Sequence, residues 1–176
     1  MLSARLSTLR CQLRPAEPGD LPFIEDALSH PRFPKNLHLS AAYRDGRLSQ
    51  WLQRMCELNS TPGSAMWTVD LNTGIRSIGQ VGLFAGKERY SLSFWLSPTY
   101  WGQGLTQEAV AKVVAHFRNA VGAKPLWAGA AIWNEPSARV LLAVGFSEGA
   151  LLEDGYSVDG QSFAVRQFWF TSDAPI

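Results

Sequence analysis

A pair of glycines between a strand pattern and a helix pattern is the feature that most constrains this chain. Residues 100–109 read Tyr-Trp-Gly-Gln-Gly-Leu-Thr-Gln-Glu-Ala. They follow an apolar run at 92–96 and lead into apolar residues at helical spacing that end with Phe117. This order predicts a strand, a glycine turn and a helix. The first N–H groups of such a helix lack partners within it, so they form an anion site suited to phosphate. Gly102 and Gly104 let a ligand approach the backbone closely.

The composition excludes several classes of function. With 176 residues and a net charge of +1, the chain fits one domain, residues 1–176. It has no basic block, so we expect no direct nucleic-acid partner. No apolar run approaches the ~18 residues of a membrane span, and the start lacks a signal-peptide pattern, so we expect a cytoplasmic protein without a membrane partner. The histidines and the two cysteines lack metal-ligand spacing, which predicts no metal site and free thiols.

The period of the apolar residues predicts the order of the first elements. An alternating strand near the start is followed by two helices, with caps at Asp20 and Ser40. Gly46 divides the second helix into a short and a long piece. The period then changes to two, which predicts three strands joined by short turns, most simply an antiparallel meander, at residues 65–71, 77–84 and 90–96.

The last third of the chain predicts the remainder of the sheet. Small apolar residues at 126–133 predict a strand that is buried on both faces and parallel to the strand before the long helix. Asn134 is a good cap for a short helix. A hairpin then starts near Gly149 and turns at Asp159-Gly160.

This order of elements resembles the GNAT acetyltransferase fold, and two motifs support the resemblance. The superfamily's coenzyme motif, R/Q-x-x-G-x-G/A, is matched at Gly104, whereas Trp101 and Thr106 depart from it. The RimJ/RimL-like branch writes this segment Y-W-G-K-G-Y-A-T-E-A, which is close to residues 100–109. The same branch carries N-x-x-S…G-F, as in Asn134 to Phe146, and often opens with L-R-P…D-L-P, as do residues 13–22.

The resemblance implies an α+β GNAT fold. Its mixed, mostly antiparallel central sheet would have about six to seven strands, with helices on both faces and a splay at the acyl-CoA site. It also implies acetyl-CoA as co-substrate and transfer of the acetyl group, by direct attack, to a primary amine of a protein N-terminus or small molecule. The coenzyme-binding residues carried over are Phe94, Trp95, Leu96, Trp101, Gly102, Gln103, Gly104, Leu105, Thr106, Asn134 and Ser137.

The catalytic residues are less well marked. Many relatives have a tyrosine where this chain has Leu141 and a glutamate where it has Ser91, so both roles are vacant here. Ser137 is our candidate for stabilising or protonating the leaving thiolate. A carboxylate base would have to come from elsewhere, and the candidates are Glu148, Glu153 and Glu88.

The amine would enter a cleft formed by the first two helices, their loop around 33–39 and the hairpin at 154–160. The loop is polar, long and interrupted by prolines, and it carries Arg32, Lys35 and His38. A protein N-terminus, an aminoglycoside, a polyamine and an amino acid all stay open as acceptors, and so does a homodimer. The vacant catalytic positions motivate an alternative, a non-enzymatic acyl-CoA-binding sensor or partner module. A third reading is another kind of nucleotide-phosphate binder, although the P-loop motif is missing.

Overall fold

The computed structural model describes residues 2–171, which form one eight-stranded sheet in the order β1-β2-β3-β4-β5-β6-β8-β7. The strands are β1 Leu6–Ser7, β2 Cys11–Pro15, β3 Ala65–Leu71, β4 Gly79–Ala85, β5 Tyr90–Leu96, β6 Leu126–Ala131, β7 Ser147–Val158 and β8 Gln161–Phe170. The helices are α1 Leu21–Ser29, α2 His38–Arg44, α3 Leu48–Glu57, α4 Leu105–Val121 and α5 Glu135–Ala143. Within residues 2–171, no helix combines the length and apolarity needed to cross a membrane.

The sheet confirms the predicted mixed, mostly antiparallel arrangement. Strands β3, β4 and β5 form the predicted antiparallel meander, and β6 runs parallel to β5 as expected. The strand count exceeds the prediction because β1 has only two residues, too few to show an alternating pattern.

Helices cover both faces of the sheet, as predicted. On one face α4 and α5 pack on the main core, and the buried residues of α4 recur at the expected helical spacing: Leu105, Ala109, Val110, Val113, Val114 and Phe117. On the other face α1, α2 and α3 enclose a second cluster that includes Ile24, Leu28 and Leu52, and Trp95 of β5 packs against it.

Two predictions of local structure were wrong. The second helix begins at His38, before the predicted cap Ser40; the Ser40 side chain is buried within α2, where its Oγ donates to the carbonyl of Pro34 (2.6 Å). Strand β6 is buried on one face only. Ala128 and Ala130 pack in the core beside α4 and α5, whereas Gly129, whose position faces the opposite side of the strand, is exposed. The predicted split at Gly46 is confirmed.

Strands β5 and β6 separate soon after they meet. They pair only at Tyr90 with Leu126 and at Ser91 with Trp127. The remainder of β5 keeps its ladder with β4 on one edge, while its other edge has no strand partner in the described part of the chain. The predicted splay is therefore confirmed, and it leaves residues 92–96 without a strand partner on this edge in the described part of the chain.

A row of polar side chains crosses the α1–α3 face of the sheet, and we call it the polar ladder: Arg14, Thr68, Gln80 and Trp95, each directly opposite the next on neighbouring strands. Gln80 donates to Thr68 (3.2 Å) and accepts from the indole N–H of Trp95 (3.1 Å). The polar ladder therefore holds the Trp95 ring in place through the side chain of Gln80 on the neighbouring strand β4. Arg14 alternates with apolar residues along the strand, and this pattern predicts an exposed side chain. The structure shows that Arg14 is buried.

Asp20 anchors the far end of the polar ladder. Its carboxylate accepts hydrogen bonds from Arg14 (2.6 Å), from Thr68 (2.7 Å) and from Ser77 (2.7 Å). Burial disfavours its ionised form, but these bonds, with one from the backbone N–H of Glu17, outweigh that effect and hold the pKa of Asp20 below its usual value. Asp20 is thus a fully buried carboxylate whose charge is paired.

Candidate active site

A cleft of about 690 Å³ opens where β5 and β6 separate. The end of β5, the glycine turn, the start of α5 and the loop between α1 and α2 line it. Ten of the eleven predicted coenzyme-binding residues lie on its walls: Phe94, Trp95, Leu96, Trp101, Gly102, Gly104, Leu105, Thr106, Asn134 and Ser137. The structure therefore brings together residues 94–106 and residues 134–137, which are far apart in sequence.

The glycine turn has the backbone conformation that its residues predict. Gly102 and Gly104 have φ of 76° and 72°, in the left-handed region that favours glycine. Gly104 is the N-cap of α4, and no side chain caps this helix among the described residues. The first-turn N–H groups of α4 therefore have no capping side chain among the described residues.

The outer side of the glycine turn is tied to the β1–β2 connection, which the sequence did not reveal. Arg10 Nη1 donates to the carbonyl of Gln103 (2.8 Å), and its Nε donates to Glu108 (2.7 Å). Thr8 also donates to Glu108 (2.6 Å). Burial acts against ionisation of Glu108, but these bonds outweigh it and lower its pKa. Gln103, the one predicted coenzyme residue outside the cleft lining, thus has its carbonyl held by Arg10.

Trp95 at the end of β5 and Trp101 in the turn before α4 both donate hydrogen bonds through their indole N–H groups. The Trp101 indole donates to the carbonyl of Leu96 (2.8 Å), and the Arg32 guanidinium lies 5.6 Å from the centre of the Trp101 ring. Trp95, held from below by Gln80, meets Phe33 edge to face with ring centres 5.9 Å apart. Phe33 belongs to the α1–α2 loop, so this contact joins the loop to β5.

The start of α5 forms the opposite wall of the cleft. Asn134 caps the helix as predicted, because its Oδ1 accepts from the backbone N–H of Ser137 (3.4 Å). Both side chains are half-buried and line the cleft. Trp133, which precedes the cap, also lines the cleft, and its buried indole N–H has no hydrogen-bond partner within residues 2–171.

The structure does not bring the candidate glutamates to the cleft. Glu148 binds Arg166 through both carboxylate oxygens (2.7 and 2.8 Å), and these hydrogen bonds lower its pKa, so it is a poor proton acceptor. Glu153 is exposed on β7, and Glu88 lies before the start of β5, at the end opposite the cleft. No carboxylate side chain in the described part of the chain lines the cleft.

The α1–α2 loop lines the cleft mainly with apolar side chains. Of its three predicted cations only Arg32 lies on the cleft wall. Lys35 turns away to the carbonyls of Leu28 and His30 (both 3.4 Å). His38 binds the β7–β8 hairpin, because its backbone N–H donates to the Tyr156 hydroxyl (2.7 Å) and its ring stacks on Tyr156.

Comparison with known proteins agrees with this geometry. Residues 10–147 match the acetyltransferase (GNAT) domain family. The chain is 25% identical over 120 residues to the uncharacterized N-acetyltransferase YoaA of Bacillus subtilis, which covers 66% of this chain and 68% of that protein.

Solved structures share the fold over nearly the whole chain. RimL, a ribosomal L7/L12 alpha-N-protein acetyltransferase in complex with coenzyme A, has a TM-score of 0.82 at 13% identity and covers 98% of this chain and 100% of that one. Mycobacterium smegmatis RimJ, in complex with CoA-disulfide, has a TM-score of 0.79 at 20% identity and covers 97% of this chain and 88% of that one. Since the domain match spans the glycine turn and α5 as well as most of the sheet, this chain belongs to the GNAT acetyltransferase family.

Proposed function

We propose that the protein is an N-acetyltransferase that moves the acetyl group of acetyl-CoA to a primary amine of a small molecule or a protein N-terminus. The observation that supports it most is the convergence of the splayed edge of β5, the uncapped start of α4 and the start of α5 on one cleft. The relatives RimL and RimJ have been solved with coenzyme A or its disulfide bound.

In this proposal the coenzyme is held mainly by backbone groups. The first-turn N–H groups of α4, from Leu105 onward, would bind the pyrophosphate, with the helix dipole adding to the attraction. The pantetheine arm would lie in the gap between β5 and β6 and use the unpaired edge of β5 as a strand partner. Asn134 would bind the arm from the opposite wall.

The transfer requires a neutral amine and a stabilised thiolate. The amine nitrogen forms a bond to the acetyl carbon as the carbon–sulfur bond breaks, and the amine releases one proton. Ser137 would donate a hydrogen bond to the thiolate. Because no carboxylate side chain lines the cleft in the described part of the chain, proximity and an already neutral amine would carry the first step, with solvent taking the proton.

Coenzyme binding and turnover are tested separately. At 100 times its dissociation constant, acetyl-CoA should stabilise the fold by about 2.7 kcal/mol, which raises the melting temperature, whereas ATP and NAD should not. Free-thiol release with a panel of amines then measures transfer. No shift with millimolar acetyl-CoA would rule out the coenzyme site. A shift without thiol release from any amine would favour a binding module.

Replacement of Ser137 by alanine should lower kcat about tenfold, because one hydrogen bond to the developing thiolate is lost while the coenzyme's other contacts remain. The affinity for acetyl-CoA should change less than threefold. Stopped-flow thiol release and equilibrium titration measure the two quantities. Equal losses in both would mean that the hydroxyl only binds the coenzyme.

A further inference from the structure

One wall of the cleft is aromatic. We define the aromatic wall as Phe33 and Trp95, which meet edge to face. Trp95 is partly exposed in the cleft, while its polar atom is already satisfied by Gln80 of the polar ladder. What the ring offers a ligand is therefore its apolar surface. Leu37, half-buried on the same loop as Phe33, extends this surface.

The charges around the cleft all have one sign. Arg32 and Arg139 are its only charged lining residues within the described part of the chain, and no aspartate or glutamate lines it. An acceptor with several ammonium groups would bring them into a cleft whose described lining offers no carboxylate to pair with them, at a desolvation penalty. A single amine that is neutral when it attacks avoids that penalty.

We propose that the acceptor is a primary amine that carries no second positive charge and has an apolar side chain that packs on the aromatic wall. Polyamines and aminoglycosides are excluded as preferred acceptors. This inference rests on the proposed acetyl transfer, and it narrows the acceptor class of the same cleft.

Two pairs of amines test the acceptor's apolar side chain and its number of positive charges separately. Phenylalaninamide and glycinamide carry the same kind of α-amino group and differ only in the side chain. The value of kcat/KM should therefore be about tenfold or more higher for phenylalaninamide. Butylamine and spermidine are both alkylamines and differ in charge, so butylamine should be the better acceptor. Equal rates for the first pair, or a preference for spermidine in the second, would overturn the proposal.

Two variants test whether Trp95 causes the selectivity. For each variant the ratio of kcat/KM values for two amines is measured, so a loss of activity that affects both amines equally cancels. Trp95→Ala should reduce the phenylalaninamide-to-glycinamide ratio to about two or less, and Trp95→Phe, which keeps an aromatic body, should retain most of it. An unchanged ratio in Trp95→Ala would refute the assigned contact.

A binding measurement keeps the inference testable if transfer itself fails. Calorimetric titration of the coenzyme A complex with N-acetylphenylalaninamide and with N-acetylglycinamide compares their affinities, and so the effect of the side chain, without turnover. The former should bind at least about tenfold more tightly. Equal affinities would overturn the acceptor class, whereas thiol release from no amine at all would overturn the enzymatic proposal.

Discussion

Replacement of Gly104 by valine is expected to lower the affinity for acetyl-CoA about 100-fold or more, with the fold retained. The residue has φ of 72°, and a Cβ built there meets only the end of the Arg10 side chain, at 3.5 Å. The obstacle is thus backbone conformation, which costs roughly 1–2 kcal/mol for a side chain in the left-handed region. Relief of that strain rotates the N-cap and redirects the first N–H groups of α4, each worth about 1.5–3 kcal/mol against a charged ligand.

Gly46→Val is the matched control for this change. Gly46 has φ of 67°, nothing lies within 4 Å of a Cβ built there, and it is not part of the cleft lining. Both variants should lose similar thermal stability, but Gly46→Val should keep its acetyl-CoA affinity within about twofold. Calorimetric titration measures the affinities, and unchanged binding in Gly104→Val would refute the phosphate assignment of the turn.

Replacement of Asp20 by alanine should lower the free energy of unfolding by about 3–5 kcal/mol. Arg14 then keeps Asp70 (2.8 Å) but loses its buried partner, and the hydroxyls of Thr68 and Ser77 lose their acceptor. For a chain of this size the melting temperature should fall by roughly 6–20 °C. Chemical denaturation of Asp45→Ala, which breaks an exposed pair with Arg47, is the control and should change stability by less than about 1 kcal/mol.

The charge of Asp20 also gives stability a defined pH dependence. Because its pKa is lower in the folded state than in the unfolded chain, its contribution is fully present above the unfolded value of about 3.9. The contribution is lost as the pH falls through the lower, folded pKa. Wild-type protein should therefore lose stability on acidification through this range more steeply than Asp20→Ala, and parallel pH profiles would contradict a paired, ionised Asp20.

The elements and the glycine turn were predictable because their signals are local. Positive φ at Gly102 and Gly104, the cap at Asn134 and the apolar spacing of α4 all follow from neighbouring residues. The same holds for the parallel strand β6, because a helix of the length of α4 must return the chain to the sheet.

The acid–base groups and the polar ladder were not predictable because they depend on tertiary register. Arg14 reads as the exposed partner in an alternating strand, and only Asp20, Asp70 and Ser77, which fold over it, make its burial favourable. Strand β7 shifts register twice against β8, between Glu148 and Leu151 and between Leu152 and Tyr156, so alternation could not tell which face its glutamates occupy. Arg10 and Glu108 are 98 positions apart, and nothing local marks them as a pair.

The uncapped start of α4 has a consequence for how coenzyme binding would respond to mutation. If main-chain amides bind the coenzyme, the side chain of Gln103, which is exposed and outside the cleft lining, contributes little to affinity. Substitutions at Gln103 should therefore leave binding nearly unchanged, whereas substitutions at Gly102 or Gly104 should weaken it. A site made of main-chain groups thus depends on backbone conformation more than on side-chain identity, and the fold that sets this conformation is shared with RimL at 13% identity.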